Sequence, residues 1–235
     1  MGGADEGVLG EGKFLRFVKR GGWEFVERRN VGGIVVMAAE TAGGCVLFVT
    51  QRREPAGGEV VELPAGLAGD EESVAGEGLE EAARRELLEE TGFGGGSAEE
   101  WMTGPPSAGV SSEIVTFFVM RGVWRTGRGG GVGGENIRVH AIPKARAAEW
   151  LEGMRRRGVW VDPKVYAGLW VLGCTPGGPG FVRSGAGGRD GDAADTCLVR
   201  GRDGARPSQL RGEGDGGKQK NGIGGAEGSA DGSRA

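Results

Sequence analysis

This chain of 235 residues contains one histidine, one tyrosine and three cysteines. A single histidine, His140, excludes any multi-histidine metal site and makes a Ser-His-Asp or Cys-His mechanism depend on that one side chain. His140 stands in the alternating run I-R-V-H-A-I, where a structural partner within a strand is the expected role. Cys45, Cys174 and Cys197 have no C-x-x-C spacing and an odd count, which argues against a disulfide framework or zinc ribbon and for a reducing compartment. Any bound metal is therefore expected to have oxygen ligands. The formal charge is −4 and neither end carries a basic block, so the phosphate attraction that dominates nucleic-acid binding is missing and nucleic acid is set aside as a partner. No apolar run approaches the roughly 20 residues of a membrane span. The opening M-G-G-A-D-E-G-V-L-G lacks the basic flank and apolar centre of a secretory signal, and Glu6 breaks the myristoylation pattern. A cytoplasmic protein without membrane contact is expected.

What is abundant is glycine: 52 residues, where average usage gives roughly 16. That excess excludes uniform packing along the chain, while 37% apolar residues supply a core of ordinary size. We expect a flexible N-terminus over 1–12, one domain over 13–174, and a disordered, glycine-rich tail over 175–235 that has no periodic apolar face to offset its ordering entropy. Within the domain, F-L-R-F-V, W-E-F-V-E-R-R, G-G-I-V-V-M-A-A-E, C-V-L-F-V-T-Q-R-R and E-V-V-E-L-P-A-G read as strands divided by glycine. A long helix follows, with Leu79, Ala83 and Leu87 on one face and Gly92 at the position that ends it. Then come the strand I-V-T-F-F-V-M-R-G-V-W, the loop G-R-G-G-G-V-G-G, the strand N-I-R-V-H-A-I-P, a helical stretch from Lys144 to about Arg157, and a last helix opened by Pro163. This order implies an α+β fold, an α/β/α sandwich with a mixed sheet and N-terminal antiparallel strands.

Opposite the apolar face of the long helix, Glu86, Glu89 and Glu90 converge at i, i+3 and i+4. Like charges at this spacing repel, and the last helical turn disfavours anions. A divalent cation reverses the sign of that cost, because carboxylate oxygens suit Mg²⁺ or Mn²⁺. Composition alone favours the plainer reading, a solvated acidic face paired with Arg84 and Arg85.

The surrounding residues narrow the choice. From Gly66, the pattern G-x10-E-x7-R-E-L-L-E-E-T-G-F resembles the Nudix box, G-x5-E-x7-R-E-U-x-E-E-x-G-U, with Glu77, Arg85, Glu86, Leu87, Glu89, Glu90, Gly92 and Phe93 in register. The first gap is five residues too long. Aligning Glu72 instead of Glu77 moves the extra length into the helix, so an insertion in the loop over 67–76 is preferred, since loops absorb length cheaply. The resemblance implies a metal-dependent hydrolase of nucleoside diphosphate derivatives. In that family Glu86 and Glu90 match metal ligands and Glu89 a supporting ligand or catalytic group, while Arg85 orients a glutamate.

Outside the box, Q-R-R and E-L-P-A-G look like the segment found in ADP-ribose and ADP-sugar pyrophosphatases. Gln51 and Arg53 then match substrate-binding positions, and Ala65 a residue whose carbonyl contributes to a metal site. P-P-S-A-G-V-S-S-E places Glu113 at a position near the terminal ribose. G-E-N-I-R-V-H places Glu135 at a further catalytic or metal-binding position, base or ligand, on a glycine loop expected to be mobile. The resemblance further implies Mg²⁺, with Mn²⁺ possible as a substitute, a small nucleotide-sugar substrate, release of AMP and a sugar phosphate, and a homodimer joined through the N-terminal sheet. The alternatives are a Nudix-fold sensor that binds a nucleotide sugar without cleaving it, and a hydrolase of another nucleoside diphosphate derivative. The G-x-G-x-x-G over 129–134 is followed by a strand instead of a helix, so it fails the context test for a dinucleotide cradle. Trp23, Trp150, Trp160 and Trp170 are expected in the core or at a dimer contact.

Overall fold

The computed structural model describes residues 7–69, 76–131 and 134–174. The disorder expected over 175–235 lies outside the described residues. The first three strands, β1 (Gly7–Glu11), β2 (Leu15–Arg20) and β3 (Trp23–Arg28), form a separate antiparallel sheet. Gly7–Glu11 falls in the segment expected to be flexible, yet it pairs along β2. Strand pairing uses backbone groups that a glycine-rich composition does not remove.

The remaining nine strands form one mixed sheet: β4 (Gly33–Thr41), β5 (Cys45–Arg53), β6 (Gly58–Glu62), β7 (Ala65–Ala68), β8 (Phe93–Gly94), β9 (Ser97–Gly104), β10 (Val115–Arg125), β11 (Arg138–Pro143) and β12 (Trp160–Val161). The β4–β10 and β6–β12 pairs are parallel. Central strands are apolar on both faces, as expected where helices cover both sides of a sheet. In β4, Val36 and Ala38 join the core beneath α2 (Ala147–Arg156) and α3 (Pro163–Val171), while Val35, Met37 and Ala39 join the core beneath α1 (Leu79–Thr91). The three-layer arrangement of helix, sheet and helix follows from that alternation.

Besides β1, three short strands and one long one were not expected from the sequence: E-V-V-E-L-P-A-G, read as one strand, divides into β6 and β7, and β8, β9 and β12 are new. S-A-E-E-W-M-T-G carries two adjacent glutamates and little alternation, but as β9 it pairs only with β10 at the margin of the sheet, where most of its side chains face solvent. β8 and β12 are two residues each, too short for any period to register. Of the tryptophans, Trp150 stacks on Phe48 with centroids 5.2 Å apart, whereas Trp23, Trp160 and Trp170 are exposed. Cys174 is a free, buried thiol. Cys45 is fully buried in β5.

His140 takes the structural role expected of it. Its Nε2 lies 2.9 Å from Thr50 Oγ1 and its ring centroid 4.9 Å from that of Trp150. Burial, with a smaller contribution from the Arg138 charge, holds its pKa below the ordinary value. The unfolded chain, titrating near 6.5, therefore takes up the proton first as pH falls. The stability tied to neutral His140 is present above that pH and is lost as pH drops through the lower folded value. Urea midpoints of wild type are expected to fall more steeply than those of His140→Gln between about pH 7 and pH 5; equal slopes would refute this assignment.

Candidate active site

The site is built where β7 runs beneath α1. The helix ends on Gly92, whose positive φ of 74° lets its N–H reach the Leu88 carbonyl at 2.8 Å. Its inner face, Ala82, Ala83 and Leu87, is fully buried, which fixes the rotation of the helix and turns Glu86 and Glu90 toward β7. There the strand's own backbone receives them. The Leu67 N–H donates to Glu86 Oε1 at 3.2 Å and the Ala65 N–H donates to Glu90 Oε2 at 3.1 Å.

Arg85 holds the outer side of this arrangement. Its Nε and Nη2 donate to the two oxygens of Glu77, both at 3.0 Å, and Nη2 also donates to the Leu67 carbonyl at 3.0 Å. Its Nη1 donates to Glu86 Oε1 at 2.9 Å and Glu89 Oε2 at 3.2 Å. The guanidinium is thus an orienting group, and its pKa is raised, first by the hydrogen bond to Glu77. The bidentate fork closes on Glu77, the glutamate that the loop-insertion alignment selects.

Electrostatics single out one carboxyl. Glu90 is 5% exposed, and its pKa is raised to about 8, first by desolvation; the Glu86 and Glu135 charges add to the rise, while the Ala65 N–H and the Arg53 charge oppose it. Glu86 is also raised, chiefly by burial. Two acids are therefore held side by side in a poorly hydrated place where ionising both is costly.

Of the residues singled out in the sequence, the fold gathers Ala65, Glu86, Glu89 and Glu90 directly. Glu135 and Arg53 act on Glu90 through their charges. Arg53 is also paired with Glu62, Nε to Oε2 at 2.9 Å. Gln51 lies two residues before Arg53 on β5, opposite Val60 of β6. Glu113 instead meets the N-terminal sheet, where its Oε1 accepts from Arg28 of β3 at 2.8 Å.

The described part of the glycine loop is docked on the end of α1. The Gly130 N–H donates to the Glu90 carbonyl at 2.8 Å and the Gly131 N–H to the Glu89 carbonyl at 3.0 Å. Sequence reasoning missed this docking because the bonds are backbone to backbone. The only signal was the density of glycine itself.

The donor chemistry suits a hard divalent cation, since every candidate ligand is oxygen and Glu90 is a desolvated acid whose charge a cation would offset. Among the described residues no three or more His, Cys, Asp or Glu side chains gather closely enough to hold a metal by themselves. A fitting set therefore needs the pair Glu86 and Glu90 together with a non-carboxylate oxygen, such as the Ala65 carbonyl.

The NUDIX domain family model matches residues 26–157. The mouse ADP-sugar pyrophosphatase is 31% identical over 190 residues, covering 69% of this chain and 83% of that protein. Among solved structures, an ADP compounds hydrolase superposes with a TM-score of 0.54 at 16% identity, covering 72% of this chain and 89% of the other, a likeness of fold. The matched span contains the whole of α1, the glutamates that β7 receives and the loop that closes on them, and the chain belongs to the NUDIX domain family.

Proposed function

We propose that this protein hydrolyses the diphosphate of ADP-ribose or a related ADP-sugar, consuming one water and releasing AMP and a sugar phosphate. The observation that carries the hydrolytic reading is the pair of buried Glu90 and half-buried Glu86, each aimed by an N–H of β7. A protein that only sensed a nucleotide sugar would have no use for two desolvated acids that resist ionisation together. The ADP-sugar part rests on the likeness to the mouse enzyme and on Gln51, Arg53 and the E-L-P-A-G run that ends in Ala65 and Gly66.

Glu86, Glu90 and the Ala65 carbonyl would hold Mg²⁺ or Mn²⁺, with Glu89 in support. Bound there, the cation would neutralise the diphosphate and lower the pKa of a water. The chain's own groups do the rest. Arg53, assisted by Gln51, binds diphosphate oxygens. Glu135 takes the proton of the attacking water, a role its exposed carboxylate near Glu90 suits. Glu113, fixed by Arg28, faces the terminal ribose.

The protein acts as a homodimer in this reading. In the N-terminal sheet the exposed Leu15 and Phe17 share one face, and the exposed Val8 and Trp23 lie on the other. A three-stranded sheet with exposed apolar side chains needs a second layer, and the same sheet of a second copy supplies it. Sedimentation equilibrium is expected to give twice the chain mass. No described helix is long and apolar enough to cross a membrane, and a cytoplasmic location suits a nucleotide-sugar substrate.

With Mg²⁺ and ADP-ribose or ADP-glucose, AMP is expected to accumulate, and EDTA is expected to stop it. If no AMP forms from either substrate with Mg²⁺ or Mn²⁺, the hydrolase reading fails.

A further inference from the structure

The loop after β10 makes an unusual contact with the end of α1. An α-helix leaves its last four carbonyls without intrahelical partners. Here the N–H groups of Gly130 and Gly131 donate to the carbonyls of Glu90 and Glu89, and those of Thr126 and Gly127 both donate to the Gly92 carbonyl, at 2.8 and 2.9 Å. The contact is backbone on backbone, and glycine alone permits it. A Cβ on Gly129 would lie 2.4 Å from the Thr91 carbonyl carbon, and one on Gly92 2.5 Å from the Gly127 oxygen. Gly129, Gly130 and Gly131 have φ values of 70°, 108° and 82°, a left-handed run that other residues rarely adopt.

The same loop carries Glu135 back to the helix. A Cβ on Gly131 would stand 2.5 Å from Glu135 Oε2, so the side chain lies against the residue whose N–H is bonded to the Glu89 carbonyl. Ile137, buried, anchors the far side, its N–H donating to the Gly130 carbonyl at 3.4 Å.

We infer that residues 126–131 form a backbone clamp that fixes Glu135 relative to Glu89 and Glu90, with Gly129 as the positioning residue that makes the clamp possible. The inference rests on the proposal that Glu135 acts on the attacking water. A general base must sit within hydrogen-bond reach of the proton it takes, and a misplacement of about 1 Å can cost on the order of 100-fold in rate. Helix and loop are distant in sequence, so direct bonds between their backbones provide the shortest connection that keeps both ends in register.

The test is a double-mutant cycle on the full chain with ADP-ribose. Gly129→Ala is expected to lower kcat roughly 10- to 100-fold with KM little changed. In a Glu135→Gln background the same substitution is expected to change kcat by less than about twofold, because the group it positions is already gone. Equal losses in both backgrounds would overturn the clamp as a device acting through Glu135, and so would wild-type turnover by Glu135→Gln. Gly122→Ala, at a φ of 71° with open space around the added Cβ, controls for backbone strain and is expected to keep full activity. Should Gly129→Ala fail to fold, amide exchange on the wild type decides. Gly130 and Gly131 are expected to exchange far more slowly than unprotected loop amides, and exchange at the unprotected rate would overturn the proposal. That measurement needs no substrate, so failure of the clamp and failure of the ADP-sugar reading are told apart.

Discussion

Glu90→Gln is expected to remove most hydrolysis and, in the metal-free protein, to raise stability at neutral pH. Both effects follow from one fact, that Glu90 is a buried acid whose pKa is pushed up to about 8 by desolvation, with the Glu86 and Glu135 charges adding to it. The folded chain keeps the Glu90 proton over a range where the unfolded chain has already released it near 4.5. A folded pKa above the unfolded one means that the stabilisation is fully present below the unfolded value and is lost as pH rises through the folded value. Across that window the loss is on the order of 3–5 kcal/mol. Glutamine keeps the shape and can still accept from the Ala65 N–H, but has no charge to desolvate.

Thermal melts in EDTA are therefore expected to show wild type losing stability between about pH 5 and pH 8 while Glu90→Gln stays flatter, the two converging at the acid end. Added Mg²⁺ is expected to stabilise wild type at pH 8, since a ligand that binds only the folded state raises its stability, and to do much less for Glu90→Gln. Turnover of ADP-ribose is expected to fall roughly 100-fold or more. A Glu90→Gln protein with near-normal turnover, or one whose pH dependence matched wild type in EDTA, would remove Glu90 from the assigned role. The two readouts are independent: the first tests the chemistry and the second tests the burial.

The parts of this molecule that a sequence displays best are those governed by side-chain period. The α1 helix could be placed from Leu79, Ala83 and Leu87, and its end from Gly92, because those residues bury a face and accept a left-handed backbone. The convergence of Glu86, Glu89 and Glu90 was legible for the same reason. What their spacing did not display was that Arg85 receives Glu89, β7 receives Glu90, and Glu86 is shared between the two; that division depends on where a distant strand presents its N–H groups. β9 was hidden because an edge strand with exposed glutamates needs no apolar alternation. The docking of the glycine loop was hidden because neither partner uses a side chain. Composition reported those glycines as looseness, whereas several of them permit the tightest approaches in the site.

Gly66→Ala carries that argument to its sharpest test. Gly66 lies in β7 between the two residues whose N–H groups hold the site, Ala65 bonded to Glu90 and Leu67 bonded to Glu86. A Cβ on Gly66 would stand 1.9 Å from Glu86 Cδ and 2.3 Å from its Oε2, well inside any tolerable contact. What it meets is the far end of a flexible side chain, so Glu86 can rotate away without unfolding β7 or α1. Its carboxylate then leaves the Leu67 N–H and the Arg85 guanidinium, and one of the two acids disappears from the site. Turnover is expected to fall by about 100-fold. The melting temperature is expected to change little, because relief from desolvation opposes the lost hydrogen bonds. Adding Glu86→Gln to Gly66→Ala is expected to cost almost nothing further, since both substitutions remove the same carboxylate. Additive losses in that double variant would mean that the glycine serves the substrate directly, through close approach of the strand backbone, and that Glu86 is not what fills the space above it.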